Sequence, residues 1–345
     1  MSVYHPPPPE HPWPLEALFS GIYHELYPFA RHALLEALRL CGVRAGDRVL
    51  IPEFICREVL APIHCLGAKP LYYSVRDSLE AIIDPDRLPG ATAALAVNYF
   101  GFPQPLGPFR RYCRRTGACL IEDNAHGLFS RDTDGTLLGT RGDMGVFSLR
   151  KTLFLPNGGM LTVMRPDLIK GRATSDDFSY SRWDRVFWLK QLARRLIGGT
   201  GLTGAHLLIS LNRLLRKIVT GHYLPPPNPD GEHTMPVPDK VSPLLRRNIT
   251  TGDPHHETIR RRKLYHFFLQ NGAAMGIRQP LFPQLPEGAV PQGFPFVCPT
   301  HEFKTVAAKL RNNGYLSMSW PDLPAAISGN GRDFYHMVRL VPFLW

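Results

Sequence analysis

No C-x-x-C pair occurs in this 345-residue chain: its six cysteines (Cys41, Cys56, Cys65, Cys113, Cys119, Cys298) fall at irregular spacings. That spacing excludes a zinc ribbon or a disulfide framework, so no metal site is expected. Reduced thiols in a cytoplasm are the plain reading. The start, Met1-Ser2-Val3-Tyr4-His5 followed by Pro6 to Pro9, has neither the basic residues nor the apolar run of a signal peptide, and export by that route is not expected. Internal repeats and low-complexity tracts are absent. The basic residues carry no zinc-finger spacing and no aromatic-rich RNA-binding signature between them, which argues against nucleic acid as a partner.

What is present is the composition of a folded chain, with 44% hydrophobic and 20% charged residues. The formal charge of +11 favours an anion-attracting surface or cleft, suited to phosphorylated cofactors and nucleotide-linked substrates. The 34 prolines cluster at the N-terminus, around Pro225 to Pro238 and around Pro280 to Pro295, where they mark turns and linkers. From Phe29 the apolar residues Ala33, Leu34, Ala37, Leu38 and Leu40 recur at helical spacing and stop at Gly42. Short apolar runs then alternate with helix-length segments: Arg48 to Ile51, Pro70 to Tyr73, Ala93 to Val97, Ala118 to Ile121, Gly145 to Ser148 and Met160 to Val163. Strands of this kind predict an α/β fold, a mostly parallel sheet covered by helices on both faces, with its ligand site beyond the carboxyl ends of the strands.

The pattern divides the chain into an irregular arm over 1–28, a large α/β domain over 29–170, a basic helical insert with a proline-rich linker over 171–240, and a small C-terminal α+β domain over 241–345. Within the insert, residues 183–219 carry leucines at helical spacing opposite Arg185, Lys190, Arg194, Arg195, Arg213, Arg216 and Lys217. Such a stretch suits weak contact with an anionic membrane surface, or packing on its own protein or a partner subunit. Charges interrupt it well before the roughly 20 apolar residues of a membrane span. After the linker, Ser242 to Gln270 reads as a basic helix. Strands at Phe294 to Val297 and Met337 to Leu340 and a helix over Glu302 to Asn312 complete the chain.

The chemistry concentrates in two motifs, Ile121-Glu122-Asp123-Asn124-Ala125-His126-Gly127 and Ser148-Leu149-Arg150-Lys151. Asp123 follows a strand and Ser148 ends one, so both reach one rim. A lysine amine there can hold the aldehyde of pyridoxal phosphate as a Schiff base, and an aspartate can keep the pyridine nitrogen protonated. Ser148, three positions before Lys151, is placed to bond the cofactor phosphate, and His126 to lie over the ring or to bond its phenolic oxygen. Arg31, just before the first helix, is placed to hold phosphate together with a helix N-terminus. Each residue has a plainer reading: a solvent lysine in a turn, an aspartate capping a helix, a structural histidine, an exposed first-turn arginine. Gly158-Gly159 reads as a tight turn into the strand from Met160.

The succession Ala45-Gly46-Asp47-Arg48-Val49-Leu50-Ile51-Pro52, Gly67-Ala68-Lys69-Pro70, Asn98-Tyr99-Phe100-Gly101, the Asp123 motif, Gly142-Asp143-Met144-Gly145-Val146-Phe147-Ser148 and Gly158-Gly159-Met160 resembles the DegT/StrS-type sugar aminotransferases in order and spacing. Ser242-Pro243 and Arg261-Arg262-Lys263-Leu264-Tyr265 resemble them more loosely. The resemblance implies a fold-type-I pyridoxal 5'-phosphate enzyme, homodimeric, moving an amino group from a glutamate-like amino acid to a keto sugar carried on a nucleotide. It assigns Lys151 as the Schiff-base lysine, Asp123 as the pyridine partner, His126 as the residue beside the phenolic oxygen and Ser148 as a phosphate ligand. This chain departs from the family in three places: the serine and lysine are three rather than five positions apart, Ala30-Arg31 replaces a Gly-Thr pair, and Cys56 stands where an aromatic is expected. Relatives tend to continue through another helix where this chain stops at Trp345, so either the sequence is short or that helix is dispensable. Two alternatives stand beside it: another pyridoxal enzyme on the same core, a lyase or decarboxylase, and a non-catalytic relative acting as a scaffold for envelope-glycan assembly.

Overall fold

The computed structural model describes residues 15–153, 155, 157–170, 179, 184, 189, 218, 228–237, 240–243, 245 and 254–343. A seven-stranded sheet organises the first half: β1 (Tyr23–Tyr27), β2 (Arg48–Pro52), β3 (Lys69–Tyr73), β4 (Ala93–Val97), β5 (Cys119–Asp123), β6 (Met144–Ser148) and β7 (Gly159–Val163), in the order β1-β7-β6-β5-β4-β2-β3. β2 through β6 pair in parallel, while β7 runs antiparallel to β6 and β1 antiparallel to β7. β4, β6 and β7 are buried along their whole length, which requires cover on both faces and explains their unbroken apolar sequences.

Three helices connect the parallel strands: α1 (Ala30–Leu40), α2 (Leu60–Cys65) and α3 (Gly107–Thr116). α1 buries Ala33, Leu34, Leu35, Ala37 and Leu38 against β6 and β7. It ends where Gly42 takes φ +78°, a conformation that costs a side-chain-bearing residue about 1 kcal/mol or more. Gly117, at φ +76°, closes α3 in the same way, its N–H bonded to the Cys113 carbonyl.

The second half carries α4 (Pro254–Asn271), α5 (Thr300–Asn312), α6 (Ala325–Ser328) and an antiparallel sheet of β8 (Gln279–Pro280), β9 (Gly293–Val297), β10 (Met318–Ser319) and β11 (Val338–Pro342), ordered β10-β11-β9-β8. One apolar core joins the two halves, running from Leu50, Ile51 and Leu95 through Phe54, Phe100 and Trp320 to Tyr265, Phe268, Phe294 and Leu340. A second cluster, of Phe19, Leu128, Phe129, Phe147, Leu149, Leu153, Leu155, Met160, Leu245 and Val290, packs around the turn that follows β6.

Two expectations are corrected. The arm over 1–28 is not irregular throughout: residues 23–27 form the edge strand β1, in register from Tyr23 opposite Val163 to Tyr27 opposite Gly159. Its sequence, Tyr-His-Glu-Leu-Tyr, has no apolar alternation, so the exposed edge of β7 specifies it rather than its own pattern. β5 also runs one residue further than expected and includes Asp123. The amphipathic stretch 183–219 lies almost wholly outside the described residues, as do 246–253 of the basic helix expected from Ser242; its described part is α4. Among the described residues, no helix is long and apolar enough to cross a membrane, and no cluster of His, Cys, Asp or Glu suits a metal ion.

Candidate active site

Parallel pairing brings three strand ends to one rim, because Val97 of β4 lies opposite Asp123 of β5, and Asp123 lies opposite Val146 of β6. Beyond each end the chain turns within a few residues, and hydrogen bonds fix those turns. Asn124 Nδ2 donates to the carbonyls of Gly127 (2.9 Å) and Leu138 (2.8 Å), shaping the loop that presents His126. Gly127 has no room for a Cβ, which would lie 2.6 Å from Asn124 Oδ1 and 3.0 Å from Gly101 Cα. Lys151 sits at the end of a short 3₁₀ turn, Leu149–Lys151, directly after β6.

Lys151 Nζ lies 2.9 Å from His126 Nε2. The Phe100 amide donates to the other ring nitrogen, His126 Nδ1, at 3.2 Å. A neutral ring that accepts at Nδ1 carries its proton on Nε2, the tautomer in which Nε2–H donates to an unprotonated Lys151 amine. Burial pushes the Lys151 amine below its ordinary range, against the opposing pull of Cys56 and Asp123. Burial, then the neighbouring Lys151, hold His126 well below the usual imidazole range. Phe100 keeps a left-handed backbone at φ +57° and stacks its ring on His126, with centroids 5.8 Å apart, while Trp320 meets the imidazole edge-on at 5.3 Å. Both contacts fix the imidazole plane.

Asp123 accepts the Ala125 amide at Oδ1 (3.0 Å), the local turn that a capping reading anticipates. Oδ2 takes no hydrogen bond among the described residues. Burial raises the carboxyl above its ordinary range, and the Lys151 charge opposes that shift. Cys56 registers the charges of both Lys151 and Asp123, and burial pushes its thiol up to about 12, so it stays neutral. Ser148 is buried at the end of β6 and its hydroxyl bonds nothing among the described residues. Arg31 stands in the first turn of α1, whose N-cap, Phe29, offers no side-chain acceptor. Its guanidinium makes no hydrogen bond or ion pair among the described residues, although Glu58 exerts an opposite charge nearby.

Lys151, His126 and Asp123 therefore converge, and Ser148 and Arg31 flank them with unused donors. Three residues escaped the sequence reading. Arg150 feels the charge of Arg31 and lies over the Phe29 ring at 5.7 Å; its position beside Lys151 was the available signal. Trp320 and Asp322 come from the loop after β10, where Asp322 pairs with Arg57 at 2.8 Å, and nothing local in the sequence marks them.

A mostly parallel seven-stranded sheet covered by helices is the fold of pyridoxal-phosphate aminotransferases. Residues 30–195 match the model of the DegT/DnrJ/EryC1/StrS aminotransferase family, whose members use pyridoxal phosphate. Among curated relatives, an L-glutamine:2-deoxy-scyllo-inosose aminotransferase of Streptomyces kanamyceticus is 29% identical over 36% of this chain and 30% of its own length. A UDP-N-acetyl-3-dehydro-alpha-D-glucosamine 3-aminotransferase of Acidithiobacillus ferrooxidans is 27% identical over 43% of this chain and 42% of its own length. The chain thus spans well under half the length of these relatives. Solved structures share the fold. The aminotransferase TlmJ of Streptoalloteichus hindustanus superposes with a TM-score of 0.60 at 18% identity, over 95% of this chain and 84% of that one. The pyridoxal-phosphate form of a putative sugar aminotransferase of Streptococcus pneumoniae gives 0.61 at 16% identity, over 95% and 84%.

The residues present suit that cofactor. A lysine amine held below its ordinary range is available to bond an aldehyde carbon, a half-buried carboxylate keeps one oxygen open for a protonated ring nitrogen, and Ser148, Arg31 and the uncapped start of α1 offer donors to a phosphate.

Proposed function

We propose that this protein is a pyridoxal-phosphate-dependent sugar aminotransferase that moves an amino group from a glutamate-like amino acid to a keto sugar carried on a nucleotide. The single observation that carries the reading is the 2.9 Å contact between Lys151 Nζ and His126 Nε2, in a pocket that also holds the Asp123 carboxylate. A solvent lysine in a turn would be exposed and titrate in the ordinary range; this one is hydrogen-bonded, and burial holds its amine below that range. The curated relatives named for a UDP sugar and for scyllo-inososes support a carbonyl on a cyclic polyol as the acceptor. A homodimer in the cytoplasm belongs to the same reading.

When bound, the cofactor supplies an aldehyde carbon and an electron-withdrawing ring. The chain supplies the rest. Lys151 would be the amine that holds the cofactor and, as a free amine, would take and return one proton beside the substrate. Asp123 Oδ2 holds a proton at the ring nitrogen, stabilised by direct charge pairing in a desolvated site. His126, fixed by Phe100 and Trp320, keeps the amine directed into the pocket. Ser148 and Arg31 hold the phosphate.

The test is a spectrum followed by a half-reaction. Protein purified with the cofactor should absorb near the visible edge and lose that band on borohydride treatment, with the label on Lys151. Glutamate alone should bleach the band and release one equivalent of 2-oxoglutarate per site. Lys151→Ala should show neither the label nor turnover. Protein that takes up no cofactor, or labels at another lysine, would sink the assignment.

A further inference from the structure

Arg261 is completely buried, the largest such side chain among the described residues. It stands on α4, 110 residues from Lys151, yet its Nη2 donates to the carbonyls of Lys151 (3.1 Å) and Thr152 (3.2 Å). Nη1 donates to the Pro291 carbonyl at 3.1 Å, and Nε donates to Glu257, one turn back on the same helix. Every face of the guanidinium is thereby engaged. The Pro291 segment is itself tied to the other half of the site. Val290 exchanges hydrogen bonds with Ser130 Oγ (2.9 and 3.3 Å), in the loop that follows His126. The Gln292 amide donates to the carbonyl of Phe100 at 2.9 Å, and the Phe100 amide in turn holds His126 Nδ1. Residues 288–292 thus form a strap behind the pocket. The His126 loop hangs on its Ser130 and Phe100 bonds, and the Lys151 turn hangs on Arg261.

We propose that Arg261 is a positioning residue for Lys151: by clamping the Lys151 and Thr152 carbonyls to the strap that anchors the His126 loop, it sets the register in which Nζ meets Nε2. This rests on the reading of Lys151 as the cofactor-bearing amine. A planar fork is required, because one ammonium does not reach three carbonyls and a carboxylate at once. The turn itself offers little to replace it, since within the turn the Thr152 and Leu153 amides both return to Leu149. The amine faces Cys56, Asp123, Glu58, Arg150 and His126, so a change of register changes what it senses.

The experiment compares wild type with Arg261→Lys and Arg261→Gln, with folding followed by circular dichroism. Competitive acetylation across pH reads the titration of Lys151 without any cofactor; both variants should move it upward by a pH unit or more, towards the ordinary lysine range. With pyridoxal phosphate added, the rate of borohydride trapping at Lys151 should fall tenfold or more, and kcat should fall with the KM for glutamate little changed. A folded Arg261→Lys protein that titrates and traps as wild type does would overturn the proposal. Failure of both variants to fold would assign Arg261 to the fold rather than to the amine, and would overturn it too. If wild type is not trapped at Lys151, the functional reading fails, while the acetylation comparison still decides whether Arg261 positions that amine.

Discussion

Glu122 and Asp123 are neighbours at the end of one strand, yet they belong to two different regions of the molecule. Glu122 points into a closed polar network: Arg141 donates to it from Nε (3.0 Å), from Nη2 (2.7 Å) and from its own amide, the Gly142 amide adds a bond at 3.0 Å, and Asn98 Nδ2 adds another at 3.1 Å. Asp123 takes one bond, from the Ala125 amide. The first carboxylate is saturated and the second keeps an oxygen in reserve. Side chains alternate across a strand, so adjacent acids face opposite sides, one into the framework and one into the pocket. Partner count and burial both separate them: the acid that holds the fold is fully buried and saturated, and the acid that awaits a ligand is half-buried with one bond.

Breaking the framework side should have the larger effect on stability. Glu122→Gln removes the charge 2.7 Å from Arg141, whose side chain is only 9% exposed, and leaves it Asp132, 3.7 Å from Nη1, as its remaining acid among the described residues. Losing one partner of a buried pair costs about 3–5 kcal/mol, and the remaining acid places the expected loss at the lower end. Urea unfolding should show this loss with an unchanged m-value, and a loss below 1 kcal/mol would mean that the network carries little of the fold. Asp123→Asn sharpens the contrast from the other side. The asparagine oxygen still accepts the Ala125 amide, and burial no longer opposes a charge, so stability should stay within about 1 kcal/mol of wild type or rise slightly. Glutamate-dependent turnover should instead fall by roughly 10²–10³, the range found when a single electrostatic contact to developing charge is removed. Equal damage to fold and turnover in both variants would erase the distinction.

The same contrast marks what the sequence could disclose. β4, β6 and β7 are short unbroken apolar runs between helix-length segments, and their burial on both faces made them legible. Lys151, Asp123 and His126 stand in two contiguous motifs, each at a strand end, so local order alone placed them on one rim. β1 was illegible because its partner, not its own sequence, defines it. Trp320, Arg261 and the strap at 288–292 were illegible for a stronger reason: they reach the site across 100 or more positions through packing of the second half onto the first, and nothing near them in sequence records that. The left-handed Phe100 was hidden as well, since phenylalanine gives no signal for a positive φ.

The smallest expected effect lies in pH. His126 is held well below the usual imidazole range in the folded chain, by burial first and by Lys151 second. Below about pH 6.5 the unfolded chain binds a proton there that the folded chain refuses, so stability falls as pH falls, until the folded value is reached. The slope for one group is at most about 1.4 kcal/mol per pH unit. Lys151 acts with the same sign in a higher window, below its ordinary 10.5. His126→Asn, whose Oδ1 can still accept the Phe100 amide, removes the lower titration and leaves the upper one. Urea midpoints measured between pH 7 and 5 should decline more steeply for wild type than for the variant, by roughly 1 kcal/mol per unit once converted with a common m-value. Superimposable declines would show that the imidazole is solvated and titrates as in the unfolded chain, which is incompatible with a ring locked between Phe100, Trp320 and Lys151.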